Sequence, residues 1–302
     1  MGAIHEIIKL HGRVPAKRFV APSEVKLVNL AASVLKRDSL TAGYTISCFG
    51  QASLPHRARG AETTYVTQTH TCTVVVEPGD LIDAEGRSVH YGIPFGPRAR
   101  LILLFLQSEA IRNNSREINL HFTMNDWLDR MQIRPGGKTY AAFREQQQRI
   151  AACRVTVMFT RDPSRNFVRQ PIVDGPLELF VDKTSGDSAH RGVLLNKHLF
   201  ESWRENPVPL WEGAVMRLSS QSLAVDTYCW LASTLYKLNA PVKVYWPVLH
   251  RHFGNSYALM RHFKPRFVDC LKMALAVYPE AQVEIDEKLG VILSPSPPPV
   301  HD

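Results

Sequence analysis

Lys138, Arg144 and Gln148 have the side chains that recognise a DNA duplex. Arg144 and Gln148 stand one helical turn apart, and their planar ends match the hydrogen-bonding edges of guanine and adenine. Arg also holds phosphates, and Lys138 opens the same segment. A solvated helix face carries the same residue types, so the pattern alone leaves both readings open. A second basic set follows at Arg261, Lys264, Arg266, Asp269 and Lys272. There Asp269 either accepts from a cytosine amino group or pairs with Arg266 or Lys272. Arg161 and Arg165 lie in a short polar stretch, Arg161–Asn166, suited to reaching backbone phosphates or to standing as a solvated loop.

The elements around the first set explain why it matters. From Pro94 to Phe159 the sequence predicts a long apolar helix beginning at Pro97, because Pro suits a first helical turn. A short alternating strand, Ser115–Leu120, comes next. Thr123 then caps a short helix, with Asp126 completing an imperfect capping box and Trp127, Leu128 and Met131 on one side. Pro135-Gly136-Gly137 makes a turn. The next helix runs from about Lys138 to Cys153, with Phe143, Gln146, Ile150 and Cys153 buried and Arg144 and Gln148 opposite. A strand follows, and Thr160–Lys183 reads as a hairpin tipped by Arg161–Asn166. This order is the ground plan of a winged helix-turn-helix, whose third helix enters the major groove.

The same order returns near Ser220 in different letters. A long helix runs to Asn239-Ala240-Pro241, then come a strand Val242–Tyr245 and a helix Trp246–Phe253 ended by Gly254. A further helix runs from about Lys264 to Tyr278 with Pro265 in its first turn. Its buried side is Phe267, Leu271, Ala274, Leu275 and Tyr278; Arg266, Asp269, Lys272 and Met273 face away. Val283–Leu293 closes as a hairpin. Between Lys237 and Lys272 seven basic residues face one acid, Asp269, and such segregation marks a docking face better than the chain total does.

Two motifs invite other chemistry. Gly136-Gly137-Lys138-Thr139 imitates the end of a phosphate-binding loop, but Gln132 stands where the first glycine belongs and a helix precedes it. His250-Arg251-His252 imitates the paired histidines of a nickase, but these fall on a helix with Arg between them. No Ser-His-Asp order and no carboxylate pair stands out. The chain therefore reads as a non-enzymatic binder with no cofactor and no metal. The five Trp residues, Trp127, Trp203, Trp211, Trp230 and Trp246, read as core anchors.

The 302 residues suit about two domains. A net charge of +8 and a pI of 9.3 fit a polyanionic partner without naming it. Cys48, Cys72, Cys153, Cys229 and Cys270 are scattered and odd in number, so they read as reduced thiols in the cytoplasm rather than a zinc site or disulfide framework. No apolar run spans a bilayer, no signal-peptide core opens the chain, and Glu6 spoils a myristoylation signal after Gly2. No membrane is expected as a partner.

Residues 1–40 are basic and read as a flexible electrostatic arm or a poorly ordered terminus, with a short helix at Val25–Leu35. Residues 41–218 form the first domain. Thr63–Val76 is expected as one strand, with turns at Glu77–Asp80 and Glu85-Gly86, packing on the first module or offering a dimer surface. Asn196–Glu205 is a short helix, Thr184–Arg191 a loop and Ala214–Leu218 a linking strand. Residues 219–294 form the second domain and 295–302 an extended Pro-rich tail. The class is α+β: tandem winged helix-turn-helix domains with an N-terminal β-rich extension.

Five stretches carry a resemblance. GIPFGPRARLILLFLQSEAIRNNSREI, then WLDRM, then GGKTYAAFREQQQRIAACRVTV, together with LPHR at Leu54–Arg57 and the ending GVILSPSPPPV, resemble the plasmid-encoded RepA replication initiators of proteobacteria. The similarity covers roughly Leu54 to Val300. It implies an initiator that binds repeated origin sites (iterons) on double-stranded DNA, promotes origin opening, and recruits host DnaA and the replicative helicase. It also implies a homodimer in equilibrium with monomer, and plasmid copy control. A winged-helix transcriptional repressor without origin-opening activity would need the same groove recognition.

Overall fold

The computed structural model describes residues 3–35, 42–46, 53–69, 71–119, 123–160, 162–175, 177, 192–205 and 207–300. Its fold is mixed α+β, in two compact units. One joins Met1–Gln51 to Val208–Asp302, and the other is Ala52–Pro207. The N-terminal residues thus belong with the C-terminal part of the chain rather than forming an arm, and the expected boundaries at 40 and 218 give way to a discontinuous unit.

In chain order the described elements begin with α1 (Ala3–His11), α2 (Arg13–Ala16), α3 (Val25–Leu35) and β1 (Ala42–Ile46). Next come β2 (Tyr65–Gln68), β3 (Cys72–Glu77), β4 (Gly79–Ile82), β5 (Ser88–Tyr91), α4 (Gly96–Arg112) and β6 (Glu117–Asn119). They continue with α5 (Met124–Arg130), α6 (Gly137–Ala152), β7 (Arg154–Phe159), β8 (Phe167–Pro171), β9 (Gly192–Leu194) and α7 (Lys197–Glu205). The last are β10 (Pro207–Trp211), α8 (Glu212–Leu218), α9 (Ser222–Thr234), β11 (Val242–Tyr245), α10 (Trp246–Phe253), α11 (Met260–Ala276), β12 (Gln282–Asp286) and β13 (Gly290–Ser294).

In the central unit an antiparallel sheet runs β2-β3-β7-β8. The expected single strand Thr63–Val76 is two strands. Thr69 makes the turn: its hydroxyl accepts from the Cys72 amide at 3.0 Å and the Thr71 amide at 3.2 Å. A threonine hydroxyl bonded to nearby amides competes with ladder pairing, and this ends β2. The turn at Glu85-Gly86 falls where expected, with Gly86 at φ +77° between β4 and β5, whereas Gly79 and Asp80 of the expected Glu77–Asp80 turn open β4, with only Pro78 between it and β3. β3 pairs with β7 from Cys72↔Phe159 to Glu77↔Arg154, so the preceding strands extend the sheet of the helical module. The β7–β8 hairpin starts earlier than the expected Thr160, pairing Arg154 with Pro171 and Val157 with Phe167, and the expected end at Lys183 lies outside the described residues.

Trp127 organises the helices. It lies edge-on to Phe105 of α4, centroids 6.1 Å apart, and to Phe143 of α6 at 5.1 Å. The capping box ahead of it is complete: the Asp126 amide donates to the Thr123 hydroxyl at 3.2 Å, and the Thr123 amide donates to the Asp126 carboxylate at 2.7 Å. Thr123→Ala should cost about 1 kcal/mol, read as a lower denaturant midpoint with an unchanged slope.

Arg100 is buried in α4 and bonded to main-chain oxygens. It donates to Leu54 O at 2.6 Å, Gly96 O at 2.7 Å and Pro55 O at 3.2 Å. It thereby ties the Leu54–Arg57 segment to the start of α4. Arg100→Leu should cost about 2–4 kcal/mol, because these carbonyls lose a charged donor while remaining in the fold. Urea unfolding monitored by Trp fluorescence measures it.

In the other unit the sheet runs β11-β13-β12. Gly290 permits its tight corner: φ is +149°, and a Cβ there would sit 2.0 Å from the Val244 oxygen. α9 packs on α11, and α3 covers another side of α11. His5 Nε2 lies 3.0 Å from the Ala276 carbonyl, and Lys272 pairs with Glu24 at 2.8 Å. This covering explains why Met273 is buried rather than facing away. α11 begins at Met260, so Pro265 lies inside it rather than in its first turn. Leu275, expected in the core, is half-buried.

Ala214–Leu218, expected as a strand, lies in helix α8; the extended element is β10, which pairs with β1. Alternating prolines at 207 and 209 are tolerated in a two-stranded ribbon, where few amides must pair. The Pro-rich tail is docked. The Tyr278 hydroxyl donates to Pro297 O at 2.6 Å, and the Ser296 hydroxyl accepts from the Gln282 amide at 3.0 Å. The expected loop Thr184–Arg191 lies outside the described residues.

Candidate nucleic-acid interface

α6 separates its faces cleanly. Phe143, Gln146 and Ile150 are buried, and the Gln146 side-chain oxygen accepts from the Phe95 amide at 2.8 Å. Lys138, Arg144 and Gln148 are all exposed, with Ala141 between them. They form a stripe about 15 Å long at the 1.5 Å helical rise. Arg149, on the flank, is held internally: it pairs with Glu145 at 2.9 Å and its guanidinium stacks 5.1 Å above the Phe95 ring. The structure therefore brings together the three α6 residues singled out from the sequence. Arg161 lies outside the described residues. Arg165 sits in the turn between β7 and β8, and its side chain is outside the described residues.

In the other unit the expected residues divide. Arg261 and Asp269 are exposed on α11. Lys264 bends back, its Nζ 3.3 Å from Glu287 O and 4.9 Å above the Trp246 ring. Arg266 donates to the Gln221 side chain, and Lys272 is occupied by Glu24. Lys264, Arg266 and Lys272 thus each make a contact inside the unit, and neither Arg266 nor Lys272 pairs with Asp269. His262, exposed beside Arg261, is the residue the sequence reading passed over. A wheel begun at Met260 instead of Lys264 places it at the rim of the Arg261 face.

The hairpin beside α11 differs in charge. Its tip holds Asp286, Glu287 and Lys288, and the amides of Leu289 and Lys288 keep the Asp286 carboxyl below the usual carboxylate range. An anionic tip disfavours phosphate there, leaving the N-terminal half of α11 as the basic feature.

The sharper motifs have structural places. The Thr139 hydroxyl donates to Arg134 O at 3.2 Å. His250 Nε2 lies 2.8 Å from Tyr257 O, and the His252 ring stacks on Phe253 at 4.2 Å, both on α10. All five Trp side chains are buried. Cys72, Cys153, Cys229 and Cys270 are buried free thiols, and burial pushes the Cys153 thiol up to about 12. Cys48 is outside the described residues. Among the described residues no group of three His, Cys, Asp or Glu side chains is placed to hold a metal, and no helix is long and apolar enough to cross a membrane.

Comparison with solved structures finds the same fold in domains 2 and 3 of RctB. The match covers 84% of this chain and 99% of that one, with a TM-score of 0.50 at 12% identity. A second crystal structure of RctB domains 2–3 matches at a TM-score of 0.46 and 13% identity, over 82% of this chain and 94% of that one. No curated protein sequence matches. The family model described as plasmid encoded RepA protein matches residues 93–245, just over half of the chain, including all of α4, α5, α6 and β7. This chain belongs to the plasmid-encoded RepA family.

Proposed function

We propose that this chain is a plasmid DNA replication initiator, built on two winged helix-turn-helix modules, that binds iterons at the plasmid origin and promotes opening of the adjacent DNA. α6 and α11 are the recognition helices. They enter successive major grooves about one helical turn, roughly 34 Å, apart. In the first module Lys138, Arg144 and Gln148 meet the groove, and Arg161 and Arg165 at the wing meet phosphates. In the second, Arg261 leads, with Asp269 on the same helix. Lys264, Arg266 and Lys272 would have to release internal partners before contacting DNA.

The observation that carries this reading is the exposed Lys138–Arg144–Gln148 stripe on a helix otherwise anchored in the core, in a chain of the RepA family. Its work is binding and deformation of DNA rather than catalysis, in the cytoplasm. A monomer–homodimer balance, host DnaA and the replicative helicase complete the proposed partners.

Permanganate probing of supercoiled origin plasmid tests the function. An initiator makes thymines in an AT-rich tract beside the binding sites reactive when protein is added. Protection of the sites without any reactive tract would instead mark a repressor.

A further inference from the structure

The corner between α1 and α2 is built unlike the rest of its unit. Leu10 is 77% exposed, Val14 71% and Phe19 59%, and Leu10 is the most exposed large apolar residue described. Gly12 sets the corner with φ +78°, and a Cβ there would meet nothing within 4 Å, so the bend faces open solvent. Phe19 folds back to stack on His11, ring centroids 4.5 Å apart, which joins the start and end of the corner into one patch. The same corner carries Lys9, Arg13, Lys17 and Arg18, of which Arg13 donates to Asn29 Oδ1 at 3.2 Å, and Glu6 is the sole acid in residues 1–23.

We propose that this corner, residues 9–19, is a docking surface for an anionic lipid bilayer. Apolar side chains projecting from a bend and ringed by cations match the membrane interface, where acyl chains take the tips and lipid phosphates take the ring. The DNA duplex of the proposed function would attract the cations but offers the Leu10 and Val14 side chains nothing. α1 is also tied through His5 to Ala276, the C-terminal end of α11, whereas Arg261 stands at the other end, about 22 Å away along the helix. The docking contact is peripheral and needs no spanning segment.

Flotation of the full chain tests the proposal, with vesicles of phosphatidylcholine alone and of phosphatidylcholine mixed with phosphatidylglycerol at roughly two to one. The chain should float with the anionic vesicles and stay behind with the neutral ones. Leu10→Ser, Val14→Ser and Phe19→Ser combined should weaken anionic-vesicle binding about tenfold or more. Lys9→Gln with Arg18→Gln should weaken it and flatten its salt dependence. Both variants change exposed side chains and should keep the wild-type melting curve, and the triple serine variant should keep origin-DNA affinity, which reports separately on the proposed initiator role. Absence of flotation with anionic vesicles would overturn the proposal. So would flotation that the triple serine variant leaves unchanged, or loss of flotation only in a variant whose melting curve shows unfolding.

Discussion

Replacing Arg144 and Arg261 together by alanine should weaken binding to origin DNA by about 2–6 kcal/mol, roughly 30-fold to 10⁴-fold. A base-reading arginine is worth about 1–3 kcal/mol, because its loss leaves guanine acceptors desolvated and unpaired. The two residues belong to different units, so their effects should add. Both are exposed, which makes the change one of recognition and not of folding. Each single substitution should relax specificity at its own half of the site. Lys138→Ala should behave differently: a phosphate contact weakens binding to all sequences alike and lowers the slope of log K against log salt by about one. Titrations at several salt concentrations, on origin and on unrelated DNA, separate the two kinds of residue.

Trp127→Ala should destabilise the central unit by about 3–5 kcal/mol, the range for truncating a large buried aromatic. The cost is high because one ring carries three helices. Trp127 lies between Phe105 and Phe143, so its loss opens a void where α4, α5 and α6 meet. A void is repaid only partly by collapse, since the neighbours keep their places in the surrounding core. Denaturant unfolding gives the stability loss. Origin binding by the fraction still folded should also fall, because Phe143 anchors the α6 stripe from behind. Trp127→Phe keeps part of the volume and the edge-on geometry, and it should recover much of both.

Local chemistry made much of this visible in the sequence. Thr123 and Asp126 announced a helix start that closes as a reciprocal capping box. Gly254 marks the end of α10, and Phe143, Gln146 and Ile150 form the buried side of α6. What escaped depends on residues far apart along the chain. α1 and α2 are short, and helices of that length gain most of their stability from packing. Their support comes from α3, and α1 is also bonded through His5 to Ala276 of α11, more than two hundred residues further on. The same contact buries Met273 and occupies Lys272 with Glu24, neither of which a wheel of α11 alone can show. β10 escaped because two prolines in five residues argue against a strand, yet β1 pairs with it.

The candidate site was legible to a similar degree. On α6 the amphipathic pattern was enough to separate the buried face from the polar stripe, which stays exposed among the described residues. On α11 it was not. Basic residues at 264, 266 and 272 look alike in sequence, but an aromatic ring, a glutamine and a glutamate engage them in turn. Of the basic residues singled out on α11 only Arg261 stays exposed, and His262 is exposed beside it. The segregated charge that marked this helix from the sequence is therefore partly a structural device: it ties the N-terminal helices and the hairpin to α11.

The most direct measurement is a hydroxyl-radical footprint of the protein on DNA flanking its gene, with wild type, Arg144→Ala and Arg261→Ala compared. The account predicts directly repeated protected sites, each with two protected patches about one helical turn, roughly 34 Å, apart. Arg144→Ala should erase one patch and Arg261→Ala the other. Protection confined to a single patch, or two patches that survive both substitutions, would contradict it.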